Sequence, residues 1–221
     1  MKILCISDQI DPIVYSPRIK ERFDDVDLIL SAGDLPLDYL DYVISTLNKP
    51  LFFVFGNHHN QELKHYKKQV FVPVEHFQME YMGCGAFHLG SKVKKEGDFL
   101  LAGFGGSMRY NNGENQFSEF GMFLEMIKII PRLLWNRFKH RRYLDVLLTH
   151  APPRGIHDKD DLCHKGFKIF LWFMKTFKPK YLVHGHIHLY DLNDVRCTKW
   201  KDTIVCNAYS HYVIDTAEQY E

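Results

Sequence analysis

Cysteine is sparse in this sequence and shows no arrangement that indicates a metal cluster or a disulfide framework. The five cysteines are scattered, odd in number and without a Cys-x-x-Cys pair: Cys5, Cys84, Cys163, Cys197 and Cys206. This usage is typical of a reducing compartment, in which thiols serve as small core side chains, so we expect a cytoplasmic protein. A predicted hairpin sets Cys197 opposite Cys206, but we expect no disulfide between them.

Long apolar runs and an excess of charge of one sign are also missing. No run is long enough to span a bilayer, and the apolar stretch at residues 1–6 is too short for a signal peptide. The 28 Lys and Arg residues nearly balance the 27 Asp and Glu residues, which argues against a broad nucleic-acid-binding surface. Because repeats, low-complexity segments and linkers are absent too, we predict one domain over residues 1–221.

Histidine, in contrast, is abundant, with 13 residues. The stretch 182–188 carries three of them, where a predicted buried strand over 180–183 runs into a turn. His186 and His188 are two residues apart, so in an extended segment they share a face and can bind one metal ion. Taken alone, a polar turn with solvent-facing histidines explains the stretch equally well.

The first third of the chain alternates predicted strands and helices. Continuously apolar strands are predicted over 2–7, 27–31 and 51–55, with helices over 18–23 and 37–47. Such strands are typical of a covered, mostly parallel sheet, in which ligands bind beyond the carboxyl ends of the strands.

The remainder of the chain predicts a second sheet and further helices. Residues 70–106 hold short strand-like runs and glycine-rich turns, which favour a more antiparallel sheet. We predict a helix over 119–130 that Pro131 ends, followed by a second helix to about His140. The later elements are strands over 145–149 and 180–183, a helix over 165–177 and a hairpin of 195–197 with 203–206.

Five apolar strands end in a side chain that can bind metal. These side chains are Asp8, Asp34, Asn57, His150, and His186 with His188. Mixed carboxylate, amide and imidazole groups suit Mn, Fe, Zn or Ni, and the lack of a thiolate argues against a closed structural zinc site. Two ions ~3.5–4 Å apart, bridged by Asp34, would suit in-line displacement at phosphorus. The alternative is a set of independent caps and turn residues.

The order of these motifs resembles that of the calcineurin-like metallophosphoesterases. The matching segments are Ser7-Asp8-Gln9-Ile10, Gly33-Asp34, Gly56-Asn57-His58-His59, Thr149-His150 and Gly185-His186-Ile187-His188. The resemblance therefore covers residues 8 to 188. It implies an α/β fold of four layers, a sandwich of two mixed β-sheets flanked by α-helices.

The resemblance also implies a role for each residue. Asp8, Asp34 and His188 would bind one metal ion, and Asp34, Asn57, His150 and His186 would bind the other. One or two divalent transition-metal ions, most simply Mn, would be the cofactor. A small phosphomonoester or phosphodiester would be hydrolysed by metal-bound hydroxide, which forms near neutral pH because the metal lowers the pKa of water towards ~7. His58 would donate a proton to the leaving oxygen or stabilise the transition state.

Two positions depart from the family pattern. Ile10 stands where the family has a ligand histidine, so the first metal site is weaker, empty, or completed by water or by Asp11. His59 stands where a carboxylate usually orients the catalytic histidine. These departures give the alternative function, a catalytically weakened metal-binding scaffold that recognises a partner protein.

Residues outside the motifs offer candidates for substrate contact. Arg109 follows a predicted strand in a glycine-rich loop and can bind a phosphate with two hydrogen bonds. The loop after His150 is expected to form a rim over the site, with His157 or His164 touching the substrate. An ordinary surface side chain explains Arg109 equally well, and for the loop residues a solvated polar loop is the simpler interpretation.

The segment 120–142 mixes many apolar residues with a basic run over 137–142. A basic amphipathic helix of this kind can bind a membrane surface or a partner. We favour the plainer interpretation, two core-facing helices that end in a basic turn, because Lys and Arg stabilise helix C-termini. The sequence makes no prediction about the oligomeric state.

Overall fold

The computed structural model describes residues 1–58, 85–191 and 194–218, and over these residues the chain is a mixed α/β protein. The helices are α1 (Ile19–Phe23), α2 (Leu37–Leu47), α3 (Glu119–His140) and α4 (Lys168–Phe177). The strands before α3 are β1 (Lys2–Ser7), β2 (Leu28–Ser31), β3 (Leu51–Phe53), β4 (Phe87–His88), β5 (Lys92–Glu96), β6 (Phe99–Phe104), β7 (Ser107–Met108) and β8 (Gln116–Phe117). Those after α3 are β9 (Val146–Thr149), β10 (Tyr181–His184), β11 (Cys197–Trp200), β12 (Thr203–Asn207) and β13 (Ser210–Asp215).

The longer strands form two mixed sheets. The first has the order β13-β1-β2-β3-β4, in which β1 to β4 are parallel and β13 is antiparallel to β1. The second has the order β11-β12-β10-β9-β6-β5. Its four central strands are parallel, and the edge strands β11 and β5 are antiparallel to their neighbours. The antiparallel pairing that we expected of the second sheet is confined to its edges, and residues 70–84 of the segment on which that prediction rested lie outside the described residues.

The alternation of side chains along the strands produces a four-layer arrangement. In β1, Ile3 and Cys5 lie in a core cluster shared with the second sheet, for example with Val146 of β9. Leu4 and Ile6 point the other way, into a cluster with α1 and α2. The outer face of the second sheet packs in the same manner on α3 and α4. The predicted sandwich of two mixed sheets flanked by helices is thus confirmed.

The helix α3 is continuous, contrary to the predicted break at Pro131. Pro131 lies inside the helix on its solvent side. Met122, Met126 and Leu133 all lie on the core-facing side and are buried. Burial of this stripe outweighs the roughly 3 kcal/mol that a proline costs within a helix.

The C-terminal part of the described chain corrects two further expectations. Strand β13 was not predicted, yet it completes the first sheet beside β1. Cys197 and Cys206 are direct partners on adjacent antiparallel strands, with Cα atoms 4.2 Å apart, and they form a disulfide. The expectation of free thiols here was wrong because the pairing register places the two side chains within bonding reach. None of the described helices is long and apolar enough to cross a membrane.

Candidate metal centre

The carboxyl ends of parallel strands from both sheets meet around one cleft of about 450 Å³. From the first sheet come the side chains that follow β1, β2 and β3, and from the second those that follow β10. The lining residues are Asp8, Asp34, Asn57, His58, Tyr110, Cys163, His164, His186 and His188. His150, which follows β9, is fully buried against Asp34. The predicted ligands therefore converge, as expected for ligands at strand ends.

Two glycines allow the strand ends to come this close. A Cβ atom on Gly56 would overlap the Asp34 carboxylate. A Cβ atom on Gly185 would overlap the Ser7 hydroxyl and crowd Asp8. Glycine is therefore required at these two positions, because any side chain there would collide with the residues that follow the neighbouring strands.

Three of the predicted ligands have a left-handed backbone. The φ angles are 63° at Asp8, 54° at Asp34 and 67° at His186. Residues other than glycine rarely adopt this conformation, although Asp and His do so more often than most. Such strain is concentrated at functional sites, where the surrounding structure holds it in place.

One group of side chains has the arrangement of a metal site. Asp34, His150 and His186 each offer a ligand atom, and these atoms lie within 4.8 Å of one another. The Nδ1–H of His150 donates to the Ala32 carbonyl at 2.8 Å, which leaves Nε2 as an acceptor. This Nε2 faces Asn57 Oδ1 at 3.0 Å and Asp34 Oδ2 at 3.2 Å. When the imidazole is neutral, all three atoms are acceptors and none can donate to another. A cation placed between them would therefore give each atom a positive partner.

Neighbouring polar groups orient the other two ligands. The Nε2–H of His186 donates to the Cys163 carbonyl at 2.7 Å, which leaves its Nδ1 available to a metal. The amide nitrogen of Asn57 donates to the Tyr110 hydroxyl at 3.1 Å, so the amide oxygen points at His150. These contacts suit a site whose ligands are held before the ion binds.

The electrostatics of the site also favour a cation. Burial opposes charge on His150, but the carboxylates of Asp34 and Asp8 outweigh it and raise the pKa of His150 to about 9. Burial, together with the nearby His150, lowers the pKa of His186 to about 3, so this imidazole is neutral at pH 7. A metal ion can replace the proton on His150 as the positive partner of the two carboxylates.

The other predicted metal site is less complete. Asp8 Oδ1 lies 3.8 Å from His188 Nε2. The side chain of Ile10 is exposed and supplies no ligand. Asp11 is also unsuitable, because its carboxylate already accepts hydrogen bonds from Ser210, His211 and the backbone of Ile13. Asp11 is not among the residues that line the cleft, so the structure does not support it as a replacement ligand.

His58 and Arg109 have different positions relative to the cleft. His58 is exposed at the cleft, and its backbone N–H donates to Asp34 Oδ1 at 3.1 Å. His59 lies outside the described residues. Arg109 is exposed and does not line the cleft, whereas its neighbour Tyr110 does. Substrate contact by Arg109 stays a prediction.

His157 contacts buried groups away from the cleft. Its Nδ1 lies 2.9 Å from His184 Nε2, and its Nε2 lies 2.8 Å from the Thr198 hydroxyl. Burial lowers the pKa of His157 to about 4. His157 is therefore positioned to support the strand that carries the last motif, and its predicted contact with substrate has no geometric support.

Sequence reasoning missed three residues around the cleft. Tyr110 and Cys163 line it, and Tyr209 stacks on the imidazole of His188 with ring centroids 4.9 Å apart. The only sequence signal for Tyr110 was its position beside Arg109. The expected rim after His150 is present, since His164 lines the cleft with its ring centroid 5.5 Å from that of His186.

Two mixed sheets between helices, with side chains that could hold a metal ion at one shared edge, define the metallophosphoesterase fold class. The sequence matches the calcineurin-like phosphoesterase model over residues 1–190, and the chain belongs to that family.

Solved structures agree with this fold. One is 16% identical with a TM-score of 0.65, and the match covers 98% of this chain and 95% of that one. The protein TT1561 of Thermus thermophilus is 14% identical with a TM-score of 0.60, covering 95% of this chain and 89% of its own. A novel archaeal phosphodiesterase is 14% identical with a TM-score of 0.46, covering 98% of this chain and 94% of its own. No curated protein matches the sequence.

Proposed function

We propose that this protein is a metal-dependent phosphoesterase that hydrolyses a small phosphomonoester or phosphodiester. The observation that carries the proposal is the convergence of acceptor atoms from Asp34, Asn57 and His150 beside His186. Membership of the calcineurin-like phosphoesterase family supports the same reaction class.

Asp34, Asn57, His150 and His186 would hold the better-formed metal site, and Asp8, Asp34 and His188 the weaker one. A bound divalent transition metal supplies activation of water near neutral pH and neutralises charge on the phosphoryl oxygens. Oxygen ligands mixed with imidazole suit Mn, which we take as the first metal to test. The carbonyls of Ala32 and Cys163 fix the orientation of the two histidines.

We assign His58 the transfer of a proton to the leaving oxygen. Its position at the cleft beside Asp34 supports this role, because a general acid must reach the leaving group from outside the metal ligands. The cleft volume of about 450 Å³ is within the range of small-molecule sites, which supports a small phosphoester as the substrate.

The first experiment is elemental analysis of protein purified without chelator, with hydrolysis of generic mono- and diesters measured on the same sample with added Mn. We expect at least one transition-metal ion per chain, together with turnover. His150→Ala removes a central ligand and is expected to lose both metal and turnover, whereas His140→Ala at the end of α3 keeps both. Full metal loading without turnover on any phosphoester would contradict the proposal.

A second candidate function is a metal-binding scaffold that recognises a partner protein. The weaker metal site, which Asp8, Asp34 and His188 would form, favours this function. At that site Ile10 supplies no ligand, and Asp11 accepts hydrogen bonds from Ser210 and His211 instead. Restoring the ligand with Ile10→His distinguishes the two functions. Activity that appears only in Ile10→His supports the scaffold, and activity already present in the natural protein supports the enzyme.

A further inference from the structure

The helix α3 has two apolar faces, and among residues 1–58, 85–191 and 194–218 only one of them packs on other elements. The core-facing side carries Met122, Met126, Ile129 and Leu133, all of which are buried. The opposite side carries large apolar side chains that are exposed: Phe120, Leu124, Ile127, Leu134, Trp135 and Phe138. Phe120 is 67% exposed and Phe138 is 76% exposed, so the two ends of this outer stripe are both open to solvent.

The outer stripe is continuous along the helix. With about 100° of rotation per residue, Phe120, Leu124, Ile127, Leu134, Trp135 and Phe138 fall within roughly a third of the circumference, opposite the buried stripe. Pro131 lies in the same sector and is exposed. Twenty-two residues span about 33 Å, which gives a long, narrow apolar surface. Soluble monomers rarely leave such a surface uncovered unless it binds something.

Positive charge flanks this stripe. The same helical projection puts Lys128, Arg132 and Lys139 along one border and Arg137 along the other. Arg132 and Lys139 are exposed, and neither forms an ion pair within residues 1–58, 85–191 and 194–218. The cations thus border the apolar surface on both sides.

The acidic residues of the helix lie outside the apolar stripe, although Glu125 forms an ion pair with the bordering Lys128. Glu119 accepts hydrogen bonds from the first backbone N–H groups of α4, and Glu125 contacts Ser91 and Lys128. Residues 119–142 hold six Lys or Arg and two Glu, a net charge of +4, whereas the whole chain carries +1. The helix itself, Glu119–His140, holds four of these cations and both Glu, a net charge of +2, and Arg141 follows it directly, whereas Arg142 forms an ion pair with Asp145.

We propose that the outer face of α3 binds the surface of an anionic lipid bilayer. An apolar stripe bordered by Lys and Arg is the arrangement of helices that lie in the membrane interface, with the stripe among the acyl chains and the cations at the headgroups. Trp135 and Phe138 suit the interfacial depth. The preferred interpretation of a core-facing segment describes one side of α3, and the proposal concerns the other side, whose apolar side chains are exposed within the described part of the chain.

The test is sedimentation of the full chain with vesicles of phosphatidylcholine alone and of phosphatidylcholine mixed with phosphatidylglycerol. Binding is expected to the mixed vesicles and to weaken as salt is added, because surface cations are attracted over about a Debye length. Arg132→Gln with Lys139→Gln is expected to weaken binding roughly 25-fold, since each cation contributes about fivefold. Lys20→Gln with Lys199→Gln removes two exposed cations elsewhere and is expected to leave binding unchanged.

A second pair of variants tests the apolar stripe. Trp135→Ser with Phe138→Ser removes two exposed rings and is expected to weaken vesicle binding by roughly tenfold or more while leaving the fold intact. Val195→Ser removes an exposed apolar side chain outside the helix and serves as the matched control. Circular dichroism of each variant confirms that it is folded.

Two results would overturn the proposal. One is that the protein does not bind the vesicles containing phosphatidylglycerol, or that the helix variants and the control variants weaken this binding to the same extent. The other is a concentration-dependent dimer, measured by sedimentation velocity without lipid, that Trp135→Ser with Phe138→Ser abolishes. The latter would assign the stripe to a second copy of this chain.

Discussion

The backbone N–H of His186 donates to the Oδ2 of Asp8 at 2.9 Å. This bond joins the end of β1 in the first sheet to the loop after β10 in the second. Asp8 therefore holds the two halves of the cleft together in addition to its proposed role as a metal ligand. The other carboxylate oxygen remains 3.8 Å from His188.

Substitutions at Asp8 separate these two roles. Asp8→Asn keeps an oxygen acceptor and tolerates the left-handed backbone, so stability is expected to change little while affinity for metal falls. Asp8→Ala loses the acceptor and adds backbone strain, and is expected to cost about 2–3 kcal/mol of unfolding free energy. Chemical denaturation and metal titration of both variants give the comparison. Equal stability of the two variants would show that the bond to His186 contributes nothing.

The two proposed metal sites are expected to differ in affinity. Because Asp34, Asn57, His150 and His186 form the more complete set, His188→Ala should retain one tightly bound ion and His150→Ala none. Added Mn should raise the melting temperature of His188→Ala and leave that of His150→Ala unchanged, since a ligand stabilises only the state that binds it. Isothermal titration gives the stoichiometry. If His150→Ala retained a tightly bound ion and His188→Ala retained none, the site of Asp8, Asp34 and His188 would be the tighter one, contrary to this prediction.

Gly185 is expected to be irreplaceable on steric grounds. A Cβ atom there overlaps the Ser7 hydroxyl and crowds Asp8, so Gly185→Ala should destabilise the protein by more than about 3 kcal/mol. Gly97→Ala is the control, because a Cβ atom on Gly97 meets nothing within 4 Å and only its left-handed backbone adds about 1–2 kcal/mol. Unfolding in urea measures both variants. A smaller loss at Gly185 than at Gly97 would refute the steric argument.

Two half-buried histidines, His88 and His157, are expected to make the protein sensitive to acid. Burial lowers the pKa values of His88 and His157 to about 4 in the folded chain, below the ordinary value of 6.5. Between pH 6.5 and 4 the unfolded chain binds protons that the folded chain does not. Their contribution to stability is therefore complete above pH 6.5 and falls by about 1.4 kcal/mol per pH unit for each histidine as the pH drops towards 4.

Variants that cannot titrate test this pH dependence. His88→Gln or His157→Asn should each reduce the slope of unfolding free energy against pH by about 1.4 kcal/mol per pH unit over this interval, which corresponds to one proton. His58→Gln, at an exposed side chain, is the control. Denaturation at several pH values measures the slopes, and an unchanged slope in both variants would exclude these histidines as the source.

The sequence pattern was sufficient for a covered parallel sheet and for the positions of the proposed metal ligands, whereas the four-layer fold was predicted from the family resemblance. Continuous apolar strands, each followed by Asp, Asn or His, predicted a covered sheet with polar groups at one edge, and Asp8, Asp34 and His186 lie at that edge. Helix α2 begins and ends where the apolar spacing predicted, at Leu37 and Leu47. These features depend on local periodicity, which a single chain segment encodes by itself.

Only the tertiary structure decided which residues meet across the chain. The pairing of β13 with β1, the disulfide of Cys197 with Cys206, the engagement of Asp11 by Ser210 and His211, and the outward second face of α3 all depend on contacts between distant segments. No local pattern specifies such contacts, because they follow from how sheets and helices pack together. The sequence determined which chemical groups this protein has, and packing determined which of them face the cleft, the core or the solvent.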